Sequence, residues 1–399
     1  MTEPLGPLVA PGPPLTPAQL ARYSRHLLLP QLGELGQRRL LNARVLVVGA
    51  GGLGSPLLQY LAAAGVGHLG IVDDDRVEAS NLQRQVIHGV TDVGRPKAES
   101  ARDAIGRINP ETEVTLYRDR LTAATIGMLD GWEVVVDGTD NFPTRYLVSD
   151  ECARRGIPEV WGSVFRFDAQ VSVFWSRPPT GSGLAGVTLR DIFPTAPPAG
   201  SVPSCAEGGV LGAMCGQVGS MMASEVVKLV TGIGNPLLGR IAVVDVLGGS
   251  VAEIPFMPSG TPIPATAADT EAELDAAYCA VPADDVPAED GVRIGSLTAA
   301  ELAELYDGDG RLHHDVALLD VRRPDERALY AIPGSIWVPL DDLLGGAGVA
   351  DVPDDDRRVV VYCHSGVRSL RAAHHLARRG RRVANLEGGV LAWWRLIGE

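Results

Sequence analysis

Apolar and polar positions alternate with different periods along this chain, and the sharpest change lies between Arg44 and Asp75. Val45 to Val48 is a β-branched apolar run, long enough for a strand buried on both faces. It passes through Gly49-Ala50-Gly51-Gly52-Leu53-Gly54 into a helix that begins near Ser55-Pro56, where proline suits a first turn. A second short strand, Leu69 to Val72, ends in three aspartates. Upstream, Thr16-Pro17-Ala18-Gln19 is a capping signature for a helix over 17–25, and another helix is predicted near Leu35 to Leu41. Downstream the pattern gives a helix at 97–108, a strand at 113–118 and a buried strand in Glu133 to Asp137. Strands at 157–162, 170–175 and 240–246 follow, with a charge-poor helix at 209–230 before the last of them.

Three stretches lack such a pattern. Residues 1–15 are proline-rich and read as disordered, and 176–203 read as a long mobile loop. Residues 257–292, rich in Pro, Ala and acids, read as a linker with a short helix at 270–278. The pattern restarts at 293 with strands at Val316 to Val321 and Val359 to Tyr362 and a helix from Arg368 to Arg379. The predicted organisation is α/β throughout. A doubly wound Rossmann-like domain occupies 16–256, and a smaller α/β domain occupies 293–399.

Composition narrows the function. A net charge of −14 disfavours a nucleic-acid binder that works by neutralising phosphates. Five cysteines (152, 205, 215, 279 and 363) are few and scattered, which fits a reducing, cytoplasmic compartment. No basic leader opens the chain. The charge-free run from Val45 to Val72 is interrupted by glycines and Pro56, so it reads as strand, turn, helix and strand rather than a membrane span. Only Lys97 and Lys228 among the 35 basic residues are lysines, which singles out Lys97 as a position that needs a compact ammonium.

Candidate chemistry follows from these placements. Gly49, Gly51 and Gly54 form the Gly-x-Gly-x-x-Gly turn that lets a backbone approach a phosphate at a helix N-terminus. Asp73 or Asp75 lies about twenty residues on, where a ribose hydroxyl needs an acid. Asn81, Arg84, Lys97, Asp137 and Asp140 fall at or beyond the C-terminal ends of strands. A nicotinamide site has little use for an Arg and a Lys near phosphates, whereas a nucleoside triphosphate attacked at its α-phosphate does. Asp140 is a candidate Mg²⁺ ligand. Cys205 precedes a helix start, where the dipole lowers a thiol's pKa, and is a candidate nucleophile; Cys215 reads as a core cysteine.

The blocks GAGGLGS, SNLQRQ, VGRPKAESAR and DGTDNFPTR resemble the MoeB/ThiF family, relatives of the ubiquitin-activating enzymes, over roughly residues 15–255. The resemblance implies adenylation of the C-terminal Gly-Gly of a ubiquitin-like sulfur carrier, with Mg–ATP as cosubstrate. It implies ATP contacts from Gly52, Asp73, Asn81, Arg84, Lys97 and Asp140; Gly49, Gly51, Gly54, Asp75, Ser80, Gln83 and Asn141 complete the candidate nucleotide site. It also implies a homodimer in which Arg25, in YSRHLLLP, reaches the partner's active site, and thioester or acyl-disulfide chemistry at Cys205. Many members hold a zinc with two Cys-x-x-Cys pairs. Here the first region, PPTGSGLAGVTLRD, has no cysteine and the second keeps only Cys279, so no structural zinc is expected.

In the last region, the strand Val359 to Tyr362 delivers Cys363, and Cys363-His364-Ser365-Gly366-Val367-Arg368 winds into a helix. Such a loop surrounds one sulfur with N–H groups. Arg368 and the helix dipole are expected to favour its thiolate or persulfide anion. The loop is one residue short of a phosphatase Cys-x5-Arg. LLDVRRPDE, IPGSIWVP and LEGGVLAWW resemble a rhodanese domain, with Asp320 and Arg322 as structural supports. The combination resembles the MoeZ-type adenylyltransferase/sulfurtransferases. That resemblance implies a sulfur donor, thiosulfate or a cysteine desulfurase persulfide, that charges Cys363, and a carrier that leaves as a thiocarboxylate. Two alternatives stay open: a conjugating enzyme that uses a Cys205 thioester, and a scaffold that binds the carrier without turning over ATP.

Overall fold

The computed structural model describes residues 5–197, 209–279, 294–364 and 366–397. Cys205 and Ser365 lie outside the described residues. The chain divides near residue 275 into two compact units.

In the first unit, α1 (Pro17–Arg22) carries the capping box of Thr16 and Gln19, and α2 (Ser24–Leu27) and α3 (Gly33–Asn42) lead into the sheet. The units β1 (Arg44–Val48), α4 (Gly54–Ala64), β2 (His68–Val72), α5 (Lys97–Ile108), β3 (Glu113–Tyr117), β4 (Val134–Asp137), α6 (Phe142–Arg155) and β5 (Glu159–Phe165) wind a parallel sheet of order β3-β2-β1-β4-β5. The strands β6 (Asp168–Phe174), β7 (Arg240–Asp245) and β8 (Ser250–Pro255) extend it antiparallel. The twenty-residue helix α7 (Gly212–Thr231) lies against α4, β5 and β6. Val45, Val47, Leu69, Ile71, Val134 and Val136 join one core with α7, whereas Leu46, Val48 and Val135 face a second cluster with Trp132. Both faces of the central strands are therefore buried, as their continuous apolar runs require.

Three expectations need correction. Residues 5–15 are ordered: Leu5 and Val9 are buried in the main core, and the Leu8 N–H donates to Leu229 O at 3.0 Å. Residues 176–197 are pinned as well. Trp175 and Val187 exchange backbone hydrogen bonds, and the buried Arg190 pairs with Asp150 of α6. The first part of the expected linker belongs to this unit, because α8 (Ala267–Cys279) buries Thr270 and Leu274 against it. Long-range polar contacts order all three, and these leave no periodicity to read.

The second unit is a parallel sheet of order β11-β10-β12-β13-β9, built from β9 (Gly295–Leu297), β10 (Val316–Asp320), β11 (Ile336–Trp337), β12 (Arg358–Tyr362) and β13 (Val383–Leu386). The helices α9 (Ala299–Ala303), α10 (Pro324–Leu329), α11 (Leu340–Leu344), α12 (Val367–Ala377) and α13 (Gly389–Ile397) flank it. Two apolar clusters cover its faces, and β12 contributes to both.

Candidate active sites of the two units

The nucleotide turn is built as its spacing requires. Gly49 leaves β1 with φ +94°, in the left-handed region that glycine enters freely. A Cβ on Gly54 would lie 1.9 Å from Gly49 O, so α4 can start this close to β1 only with glycine there. The Ala50 N–H donates to Asp73 Oδ2 at 2.7 Å, and the Asp75 N–H donates to Asp73 Oδ1 at 3.0 Å. Asp73 thus ties the turn to the end of β2. Burial raises its carboxyl above the ordinary value, against the pull of Lys97 and of these N–H donors.

Lys97, the first residue of α5, is buried, and its Nζ donates to the exposed Asp75 Oδ2 at 2.7 Å. This is a compact ammonium beside the turn, with a counter-ion that solvent can reach. Arg84 folds back so that Nη1 donates to Ser80 O at 3.1 Å, and its stem passes 3.6 Å from where a Cβ on Gly52 would be. Asn81 is buried and its side chain accepts the Glu78 N–H, which holds the 78–84 segment in shape. Gln83 and Ser80 are exposed.

Asp137 ends β4, fully buried, and its Oδ1 takes both the N–H and the hydroxyl of Thr139. That bond aims the 138–141 loop, on which Asp140 is exposed. A solvent-facing carboxylate next to a phosphate turn fits the oxygen chemistry of Mg²⁺. Asn141 instead caps α6, accepting the Thr144 N–H at 2.9 Å. Arg25, on α2, is exposed and makes no hydrogen bond or ion pair among the described residues.

Several residues of this site escaped the sequence reading. Arg145 is buried, donates to Thr139 O at 2.7 Å and lies 3.8 Å from Asp137. Gln85 is buried, its Oε1 has no hydrogen-bond partner among the described residues, and its Nε2 is near Gly51. His88 bridges Ala50 O and Ser100. Cys215, read as a core cysteine, is buried, but its Sγ would be 3.0 Å from a Cβ on Gly52, directly behind the turn. Gln85 was visible within SNLQRQ; the others depend on tertiary proximity.

In the second unit, β12 delivers Cys363 fully buried at the sheet's C-terminal edge. Its Sγ accepts the Gly366 N–H at 3.1 Å and the Ser369 hydroxyl at 3.4 Å. Gly366 adopts φ +98° to turn that N–H inward, and α12 begins at the next residue. The loop is clamped from behind: a Cβ on Gly389 would lie 2.5 Å from Cys363 O. Arg368, expected to favour the thiolate or persulfide anion, is paired with an acid. Its two terminal nitrogens are held by Glu326 at 2.7 and 2.5 Å, so its charge is matched by a carboxylate. Burial opposes ionisation of Glu326, yet the Arg368 and Arg323 contacts hold its pKa below the ordinary range.

Behind the loop, Asp320 and Arg322 form a fully buried bidentate pair. Arg327 and the Tyr362 hydroxyl also donate to Asp320, and burial pushes Tyr362 up to about 12. These two residues support the β10 and β12 ends, the part foreseen for them.

Comparison with known proteins places the two units. Residues 23–260 match the model of the ThiF family, and residues 298–396 match that of the rhodanese-like domain. The chain belongs to the ThiF family. It is 48% identical over 395 residues to a probable adenylyltransferase/sulfurtransferase MoeZ of Mycobacterium tuberculosis, covering 98% of this chain and 97% of that one. It is 49% identical over 240 residues to a sulfur carrier protein adenylyltransferase of Thermus thermophilus, covering 60% of this chain and 88% of the relative. A crystal structure of E. coli MccB shares the fold at 21% identity and a TM-score of 0.53, over 62% of this chain and 74% of that one. This ThiF-family chain thus joins an adenylation fold to a rhodanese-like fold. Among the described residues, no helix is long and apolar enough to cross a membrane.

Proposed function

We propose that this chain is an adenylyltransferase and sulfurtransferase that converts the C-terminal glycine of a ubiquitin-like sulfur carrier into a thiocarboxylate. One observation carries the reading. A single chain holds both a phosphate turn flanked by Lys97 and Arg84 and a cysteine whose sulfur accepts loop N–H and hydroxyl donors. ATP is the nucleotide, and the carrier's Gly-Gly carboxylate attacks its α-phosphorus. The bond to the β-phosphate breaks and pyrophosphate leaves. Turn N–H groups, Lys97 and Arg84 offset the charge that builds up. Asp140 would hold Mg²⁺, which supplies further positive charge at the phosphates. The enzyme acts in the cytoplasm as a homodimer. Arg25 of the partner subunit completes each site, in keeping with an exposed Arg25 that bonds to no group among the described residues.

Sulfur then arrives from the second unit. The Cys363 thiolate takes the outer sulfur of thiosulfate, releasing sulfite, or of a desulfurase persulfide, releasing a thiol. The Cys363 persulfide attacks the acyl carbonyl, AMP leaves, and an acyl disulfide forms. Cys205 attacks the Cys363 sulfur and frees the carrier thiocarboxylate. The resulting Cys205–Cys363 disulfide is reduced by an external dithiol. Intact-mass spectrometry of a carrier incubated with enzyme, Mg–ATP, thiosulfate and dithiothreitol tests the scheme. The expected product is heavier by the difference between sulfur and oxygen and is absent with Cys363→Ala. A carrier that stops at the adenylate with the wild-type enzyme, or a stable adduct on Cys205 with or without Cys363, would favour conjugation and overturn the sulfur-transfer reading.

A further inference from the structure

The end of the adenylation unit is fastened by a buried polar cluster that the reaction scheme does not use. Arg190, 2% exposed, donates through Nε and Nη2 to the two oxygens of Asp150, each at 2.9 Å. Its Nη1 donates to Glu273 Oε1 at 2.8 Å and to Pro194 O at 3.1 Å. Thr270, fully buried, donates its hydroxyl to Asp150 Oδ2 at 3.0 Å. The neighbouring Asp191 takes the N–H and hydroxyl of Ser259, at 2.6 and 2.9 Å. Glu271 accepts the Ala123 N–H, and Leu274 fills a cluster with Tyr146, Trp161 and Leu189. One short segment, 188–194, therefore holds two points of the segment 259–273 against α6.

The zinc that the family resemblance raises ties segments in these same two regions, but the residues here do not fit it. The segment 178–191 offers no thiol. The groups it brings to meet α8 centre on a guanidinium, which carries five donors and no lone pair for a metal. We infer that the Asp150–Arg190–Glu273 network, with Thr270, is a metal-free clamp that fixes where the connector to the rhodanese-like unit leaves the adenylation unit. The consequence is kinetic and rests on the sulfur transfer proposed above. With the clamp closed, fourteen residues (280–293) lie between α8 and the first described residue of the second unit; with it open and Ser259 still held by Asp191, up to thirty-four (260–293) do. Effective concentration falls as roughly the −3/2 power of connector length, so opening the clamp should slow delivery from Cys363 about fourfold.

The test uses the full chain and the variant Thr270→Val/Glu273→Gln/Leu274→Ala, which leaves Arg190 and Asp150 paired. Hydrogen exchange followed by mass spectrometry should show amides 267–275 protected in the wild type. In the variant their protection should fall at least about tenfold while α6 keeps its own. Metal analysis should find no stoichiometric zinc, and EDTA should leave that protection unchanged. Single-turnover thiocarboxylate formation should slow about fourfold with carrier-dependent ATP–pyrophosphate exchange unchanged. One zinc per chain, loss of protection in EDTA, or equal exchange in wild type and variant overturns the clamp. Lost protection with an unaltered transfer rate overturns its role in delivery. Absence of any thiocarboxylate from the wild type would instead count against the proposed reaction, and the exchange and metal results stand apart from it.

Discussion

Lys97 shows how one side chain is prepared for a triphosphate. Its stem is buried and its ammonium is held at the turn by Asp75, whose own side chain is 67% exposed and free to yield to a ligand. Lys97→Met keeps the volume and removes the charge. ATP–pyrophosphate exchange should fall about 10²–10³-fold, the usual cost of losing one preorganised group opposite developing charge, with the melting temperature little changed. An exchange rate within a few-fold of wild type would remove Lys97 from the mechanism. A second residue-scale effect lies below α6. Glu159 is fully buried, and beyond the weak pull of the Ser149 side chain its oxygens meet no donor among the described residues. Burial, reinforced by the neighbouring Asp137, drives its pKa well above the ordinary value. Asp137, with Arg145 nearby and two Thr139 donors, is the better placed of the two to carry charge. The folded chain therefore keeps a proton on Glu159 that the unfolded chain releases above its ordinary carboxylate pKa. Stability falls as pH rises from there toward the folded value. Glu159→Gln should remove that slope, so the variant's melting temperature should gain on wild type from about pH 5 to pH 8. A difference that is constant with pH would mean that Glu159 is ionised in the fold.

At the scale of elements, the sulfur loop is set by contacts between the β12–α12 turn and the start of α13. Gly389 adopts φ +57°, and a Cβ there would strike Cys363 O and His364 O. Gly389→Ala should cost about 1–3 kcal/mol and displace the backbone that carries the sulfur. Thiosulfate:cyanide sulfur transfer should be lost while ATP–pyrophosphate exchange persists. Retention of full rhodanese activity would show that the loop tolerates the shift. The same elements explain what was legible beforehand. β1, the glycine turn, β2 and β12 are local patterns, so a strand's apolar run and a turn's glycines announce them. The Lys97 position stood out through lysine scarcity. Residues 5–15, 176–197 and 257–275 did not, because their order comes from distant partners: Leu229 for Leu8, Asp150 for Arg190, Asp150 again for Thr270. The partner of Arg368 was hidden for a related reason. Spacing places the arginine at the second residue of α12, and Glu326, forty-two residues earlier, takes its guanidinium.

At the scale of the whole molecule, each unit carries its own apolar interior. Among the described residues, the clusters around β1–β7 draw only on residues up to Leu274, and the two around β10 and β12 only on residues from Ile294 onward. Units with separate cores melt separately unless an interface couples them. Mg–ATP binds only the first in the proposed reaction, so it should stabilise that unit alone. At a hundredfold excess over Kd the gain is about 2.7 kcal/mol. For a unit of this size that moves the transition up by roughly 5 °C or somewhat more. Scanning calorimetry of the full chain should therefore show two transitions, of which nucleotide raises one. Cys363→Ala should leave the nucleotide response in place, since the cysteine belongs to the other core. Two transitions that rise together would reveal coupling between the units. The sulfur-bearing unit would then sense nucleotide occupancy, and delivery would no longer be a matter of connector length alone.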